Sequence, residues 1–144
     1  RFSYSAIGDA VNVASRVEGL TKQCKVSILV ADTTRASAGD LAFLEADLVR
    51  VVGRSEPIAL FALIGDDAHA LSAGFVDLRA AHAGFLTAYR SLDLGLAETL
   101  LARLRQMAPP AITGLYEVYA DRLEEMRASP PPPGWDGVFV AKQK

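Results

Sequence analysis

The arrangement of apolar residues changes character at Gly65-Asp66-Asp67, and this change constrains the fold more than any other feature of the chain. Before it, apolar residues come in short compact runs, such as residues 26–30 and 58–63, which are typical of buried strands. After it, apolar residues recur at the spacing of amphipathic helices. The sequence therefore predicts a mixed α+β unit at residues 1–64 and an α-helical extension at residues 65–144.

The first unit is expected to alternate strands with two helices. One helix follows the first strand and reaches about Lys22, and Asp32 or Thr33 is expected to cap a short helix that reaches Ser37. A Gly-Arg-Ser-Glu-Pro sequence at residues 53–57 indicates a turn. The strands are expected over residues 1–7, 26–30, 41–52 and 58–63.

The extension is expected to form helices over residues 69–90, 94–107 and 112–128. The pairing of residues 82–90 with 94–107 is similar to a tetratricopeptide hairpin, although one unit does not make a solenoid. The helical spacing is carried by Leu71, Phe75, Leu78, His82, Phe85, Leu86, Tyr89, Leu96, Leu100, Leu101 and Leu104.

The end of the chain differs from the helices before it. Four consecutive prolines at residues 130–133 require an extended backbone. Trp135 follows them and is expected to anchor the tail on the rest of the protein.

Composition excludes some classes of function. The net charge is −2, so no basic field points to nucleic acid. Cys24 is the single cysteine, which rules out a disulfide within the chain and fits a reducing cytoplasm. No apolar run is long enough to span a membrane. The histidines, His69 and His82, match no zinc spacing and are expected at the helix surface or as satisfied core residues.

The segment at residues 4–16 carries the chemistry. Asn12 and Arg16 are four residues apart in a predicted helix, so they share one face, one turn apart. An amide and a guanidinium at that spacing can hold the oxygens of one phosphate group. The alternative is that both belong to the solvated face of an amphipathic helix. Gly8 permits a tight turn, and Asp9 is expected to be the N-cap of the helix.

The same segment resembles the G-D-x-V-N-x-A-S-R signature of class III nucleotidyl cyclases, and the resemblance continues to about Ile64. It implies that residues 1–64 are the second half of a ferredoxin-like cyclase domain. The P-P-P-P-G-W-D-G-V-F sequence of the tail resembles the C-terminal extension of bacterial class III cyclases, including those with an extracytoplasmic CHASE2 sensor. The chain is therefore expected to be the C-terminal part of a longer protein.

The resemblance implies an activity and two catalytic residues. The reaction is the conversion of ATP to 3′,5′-cyclic AMP and pyrophosphate in signal transduction. Asn12 would orient the ribose, and Arg16 would stabilise negative charge on the α-phosphoryl group in the transition state. Two Mg²⁺ or Mn²⁺ ions are implied, with ligands upstream of Arg1 and none in this chain.

Two further residues are expected to bind the substrate. Ser5 occupies the position that selects the base in this family; its hydroxyl favours ATP over GTP, although a guanylate cyclase remains an alternative. A hydroxyl that only satisfies the turn backbone is the simpler interpretation of Ser5. Val52 replaces a lysine of the family that approaches the triphosphate, and Arg54 is expected to substitute for it unless it is only a surface arginine.

The family forms its site across a head-to-tail homodimer, so this chain would supply the Asn/Arg half of each site. Alone, it is not expected to cyclise ATP. The expected location is the cytoplasm, with membrane attachment only through regions upstream, as in a cyclase anchored in the inner membrane. The alternative in another class is a non-catalytic dimerisation or regulatory fragment.

Overall fold

The computed structural model describes residues 19–51 and 55–140, which form a mixed α+β structure. Residues 19–24 are helical and are called α1. The elements that follow are β1 (Leu29–Ala31), α2 (Asp32–Ser37), β2 (Ala42–Arg50), β3 (Ile58–Gly65), α3 (Asp67–Ala70), α4 (Ala73–Arg90), α5 (Leu94–Met107), α6 (Pro110–Ala128) and β4 (Phe139–Val140).

The strands form one four-stranded sheet in the order β1-β3-β2-β4. β3 pairs antiparallel with both β1 and β2, whereas β4 runs parallel to the end of β2. Alternate side chains of β3, at Ile58, Leu60 and Ala62, are buried, as expected for a strand with one face on the core. A register shift between Glu45 and Asp47 leaves Ala46 opposite no residue of β3.

The predicted change of pattern coincides with the junction of sheet and helices. β3 ends at Gly65, and α3 begins at Asp67. Helices α4, α5 and α6 then pack in a hydrophobic core that they share with the sheet, in which Leu60, Phe85 and Leu104 are fully buried. The ferredoxin-like assignment and the division into two domains stay predictions.

Several expected elements differ from the structure in their ends. β1 begins at Leu29 rather than residue 26, because residues 25 and 26 are occupied by the turn that ends α1. The N-cap of α2 is Ala31 and not Asp32 or Thr33; the Asp32 carboxylate instead accepts from the Thr33 amide within the first helical turn.

The prediction of a single helix over residues 69–90 is wrong. It is split into α3 and α4, because the Ser72 side chain accepts a hydrogen bond from the Phe75 amide and starts a new helix. Leu71 therefore lies in the break and is 85% exposed, and Leu96 in the first turn of α5 is 47% exposed. Neither residue belongs to the buried stripe that the sequence predicted.

The helical hairpin is present as α4 and α5. The bounds of α5 agree with the prediction, and a three-residue connection in which Asp93 caps α5 joins it to α4. α6 begins at Pro110, two residues before the prediction, because proline is well tolerated in a first helical turn. The likeness to a tetratricopeptide unit stays a prediction.

The C-terminal tail folds back on the helices and the sheet. The Trp135 ring packs edge-on against Tyr89, with ring centroids 5.6 Å apart, which confirms the expected anchor. Val138 is buried, and Phe139 and Val140 pair with Val49 and Arg50 of β2. Across the described parts of the chain, none of the helices combines the length and the apolar character needed to cross a membrane.

Replacing Gly84 by Ala is expected to stabilise the protein. Gly84 lies inside α4, and an added Cβ would meet only Leu100 Cδ1, at an ordinary 3.8 Å. Relief of the glycine penalty in a helix is worth about 0.5–1 kcal/mol, which corresponds to a rise in Tm of about 1–4 °C. Thermal unfolding measures it. The matched control is Gly137→Ala, which should lower Tm because φ is +79° and the new Cβ would lie 2.9 Å from Arg90 Cγ. A lower Tm for Gly84→Ala would contradict the expectation.

Candidate functional site

The residues predicted to carry the chemistry lie outside the part of the chain that the structure describes. Ser5, Asn12 and Arg16 precede residue 19, and Arg54 falls between the two described ranges. Their roles stay predictions. The structure does describe the segments that flank them, namely the C-terminal turn of α1 and the facing ends of β2 and β3.

The helix that follows the Asn12/Arg16 segment ends in a well-defined turn. The Lys25 amide donates to the Lys22 carbonyl, and the Val26 amide donates to the Thr21 carbonyl, each at 3.3 Å. This pair of bonds is the Schellman motif, which requires a left-handed residue, and Lys25 has φ 54°. Leu20 and Cys24 are buried in the core. The end of α1 is therefore fixed by both hydrogen bonds and packing.

The described residues on either side of residues 52–54 are joined by one side chain, that of Arg50 at the end of β2. Arg50 Nε donates to the Ser55 carbonyl oxygen at 3.1 Å, and Arg50 Nη2 lies 3.3 Å from Asp136 Oδ2 in the tail. The Asp136 carboxylate also accepts from the Val138 amide at 3.1 Å, and this hydrogen bond, ahead of the Arg50 contact, lowers the pKa of Asp136. The tail thus contacts Arg50, the last residue of β2.

A buried polar cluster joins β2 to α6. Asp47 is 2% exposed, and its Oδ2 lies 2.7 Å from Arg122 Nη2. The Tyr119 hydroxyl donates to the Ala46 carbonyl oxygen at 2.6 Å, at the register shift of β2. The Arg122 guanidinium stacks on the Phe139 ring, 3.9 Å from its centroid. One cluster therefore holds a strand, a helix and the tail together.

The electrostatics of this cluster favour a structural role. Burial raises the pKa of the Tyr119 phenol well above its usual range and the pKa of the Cys24 thiol to about 12. The negative charge of Asp47 is the second cause in both groups. Burial opposes the charge on Arg122, but the hydrogen bond and charge of Asp47 outweigh it, so the pKa of Arg122 is raised. Phenol and thiol stay neutral near pH 7, and neither is an activated nucleophile. The cluster was not predicted; its one signal in the sequence is an acidic residue within an apolar strand.

His82 is a satisfied core residue, which agrees with one of the two predicted positions. Its Nε2 lies 2.6 Å from the Glu45 carbonyl oxygen, and its Nδ1 lies 2.8 Å from the Tyr116 hydroxyl. A carbonyl only accepts, so Nε2 carries the proton and Nδ1 accepts from Tyr116. In the neutral ring, both nitrogens are therefore hydrogen-bonded. Arg90, the last residue of α4, forms an ion pair with the Glu45 carboxylate, with Nη2 2.8 Å from Oε2.

Acidification is expected to destabilise the protein through His82. Burial lowers the pKa of His82 from 6.5, so below that pH the unfolded chain binds a proton that the folded chain excludes. This loss begins as the pH falls through 6.5 and continues down to the folded pKa. Thermal unfolding at about pH 7.5 and 5.5 measures the loss, and His82→Gln should reduce it. An equal loss of Tm in both proteins would show that other groups are responsible.

The described residues offer no obvious metal site. Within residues 19–51 and 55–140, no group of three or more His, Cys, Asp and Glu side chains is placed to hold a metal ion. The implied Mg²⁺ or Mn²⁺ ions therefore have no assigned ligand in this part of the chain.

Comparison with known proteins gives two partial matches. The chain is 35% identical over 66 residues to adenylate cyclase 1 of Rhizobium meliloti (strain 1021). The matched region covers 45% of this chain and 10% of that protein. It is 38% identical over 66 residues to an adenylate cyclase of Anabaena cylindrica, which covers 42% of this chain and 13% of that protein. The chain thus spans about a tenth of the length of these curated relatives. No protein-family model and no solved structure matches it. The matches indicate a relationship to adenylate cyclases over less than half of the chain.

Proposed function

We propose that the complete protein is an adenylate cyclase, which converts ATP to 3′,5′-cyclic AMP and pyrophosphate, and that this chain supplies half of the site. The observation that carries the proposal is the G-D-x-V-N-x-A-S-R signature at residues 8–16, with Asn12 and Arg16 at helical spacing. The partial matches to two proteins named adenylate cyclase support it. The helical residues 19–24 also agree with a helix predicted to continue past Arg16.

In the proposed reaction, the ribose 3′ oxygen attacks the α-phosphorus, and pyrophosphate leaves. Asn12 holds the ribose so that the 3′ oxygen faces the phosphorus, which lowers the entropic part of the barrier. Arg16 donates to the α-phosphoryl oxygens, where negative charge develops. Two Mg²⁺ or Mn²⁺ ions, bound upstream of this chain, would supply activation of the attacking oxygen and neutralisation of the phosphates. A head-to-tail homodimer would bring the two halves of each site together.

Substrate recognition is assigned to Ser5 and Arg54. The Ser5 hydroxyl can both donate and accept, which suits the N1/N6 edge of adenine. Arg54 would bind the triphosphate in place of a lysine, because Val52 cannot bind an anion. Arg50 and Ser55, which are described on either side of residues 52–54, are joined by a hydrogen bond, and Arg50 also contacts Asp136 of the tail.

The test is a cyclase assay on the complete encoded protein with ATP or GTP in Mn²⁺, with cyclic nucleotides identified by mass spectrometry. Cyclic AMP formed faster than cyclic GMP is the expected result. The chain of residues 1–144 alone should give no product, because it lacks the proposed metal ligands. The proposal would be refuted if the complete protein formed no cyclic nucleotide. Faster formation of cyclic GMP would show that the activity is that of a guanylate cyclase.

A second candidate is a non-catalytic dimerisation or regulatory module. The observation in its favour is Val52, which removes a cation from the predicted triphosphate position. Such a module would self-associate, and would bind ATP weakly or not at all, without turning it over. Equilibrium binding of ATP to the complete protein, measured beside the cyclase assay, separates the two candidates.

A further inference from the structure

Helix α6 approaches the end of α1 more closely than a side chain would allow. A Cβ atom added to Gly114 would lie 2.5 Å from the Lys25 carbonyl oxygen and 2.7 Å from Lys25 Cβ. Lys25 is the left-handed residue of the Schellman turn that ends α1. The backbone of the helical extension therefore rests directly on the last turn of the helix that follows the Asn12/Arg16 segment.

Both partners in this contact are held firmly. On α6, Ile112 and Leu115, which lie on either side of Gly114, are at most 1% exposed. On α1, Leu20 and Cys24 are buried in the same core. Packed interiors transmit strain because they contain few voids that could absorb a displacement. A change in the position of α6 at residue 114 would therefore move the end of α1.

From this contact we infer that α6 positions α1 and, through the helix predicted to run on from Asn12 and Arg16, those two residues, so that Gly114 is a positioning residue for the cyclase reaction. The inference rests on the proposed function and adds to it a role for the helical extension. Gly114 touches no substrate; it acts through the Lys25 turn. In the predicted continuous helix, Arg16 lies about 14 Å along the axis from Lys25, so we expect a displacement of the Lys25 turn to reach it.

The size of the displacement follows from the distances. Ordinary contacts of a Cβ atom begin at 3.4 Å, so a Cβ atom at residue 114 requires α6 and the Lys25 carbonyl oxygen to separate by about 0.9 Å from the present 2.5 Å. A misplacement of about 1 Å that originates far from the chemistry can cost about 10²-fold in rate. Part of the movement would be absorbed before it reaches Arg16, so we expect a loss in kcat of about tenfold or more.

The experiment compares three variants of the complete protein. Gly114→Ala should lower kcat about tenfold or more, with the KM for ATP changed less than about twofold. Gly84→Ala, the same substitution in a helix with room for a Cβ, should leave kcat unchanged. Lys25→Gly added to Gly114→Ala should restore part of kcat, because it removes the Cβ at 2.7 Å and suits a φ of 54°.

A readout independent of catalysis separates this inference from the proposed function. Amide hydrogen exchange of residues 19–26 and thiol labelling of Cys24, located by peptide mapping, should both be faster in Gly114→Ala than in Gly84→Ala. If the wild-type protein makes no cyclic nucleotide, the proposed function fails and the exchange comparison alone decides whether α6 holds α1. Unchanged exchange and labelling would overturn the inference, as would a loss of kcat that matches the loss of folded protein.

Discussion

Replacing Arg16 by Ala in the complete protein is expected to lower turnover by about 10²–10³-fold while leaving the fold intact. Arg16 is assigned to the α-phosphoryl oxygens, whose negative charge grows as the transition state is reached. Loss of an interaction made only in the transition state lowers kcat and kcat/KM equally, so the KM for ATP should change little. Steady-state kinetics with ATP in Mn²⁺, with circular dichroism as a check on folding, measure both parts of the expectation.

Two variants serve as controls for Arg16→Ala. Arg16→Lys keeps a positive charge but loses the planar pair of donors, so its turnover should lie between those of wild type and Arg16→Ala. Arg103→Ala removes an exposed arginine of α5 and should leave turnover unchanged. If the complete protein makes cyclic AMP, a turnover of Arg16→Ala equal to that of the wild type would refute the transition-state role.

Replacing Asp47 by Ala is expected to cost about 3–5 kcal/mol of the free energy of unfolding. The substitution leaves the Arg122 guanidinium, whose side chain is only 13% exposed, without its carboxylate partner. Urea unfolding followed by circular dichroism measures the loss, and a lower midpoint at an unchanged slope would identify a change in stability.

The matched control for Asp47→Ala is Glu98→Ala. Glu98 forms an ion pair with Arg127 across α5 and α6, but both side chains are largely exposed, so its loss should shift the midpoint little. The double variant Asp47→Leu with Arg122→Met should recover much of the stability, because an apolar pair carries no buried charge. Equal losses in Asp47→Ala and Glu98→Ala would show that burial does not make this ion pair special.

Local patterns in the sequence predicted the elements well where they were long and periodic. The bounds of α5 and the presence of β2 and β3 follow from apolar spacing alone. The same spacing failed at Leu71, because a serine cap at residue 72 ends one helix and starts another within an apparently continuous stripe. Periodicity reports which residues could share a face, whereas capping decides which of them belong to the same helix.

The candidate site shows a different limit. Asn12 and Arg16 were identified because the segment around them resembles a family signature and because residues four apart share one face of a helix, and both are local information. Asp47 and Arg122 meet across 75 residues, and no local pattern predicts which buried carboxylate meets which arginine. The Gly114–Lys25 contact is of the same kind, since Gly84 and Gly114 both lie within helices and only Gly114 closely approaches another backbone.

The pairing of β4 with the end of β2 bears on the risk of aggregation at a sheet edge. An exposed strand edge offers unpaired backbone groups to other chains. Here β4 pairs with β2 at Val49 and Arg50, on the side of β2 opposite β3, and the Glu45 and Ala46 carbonyls are hydrogen-bonded to His82 and Tyr119. A tail truncated before Trp135 would uncover part of this edge. Such a truncation should therefore favour aggregation, even where it removes no residue proposed to touch ATP.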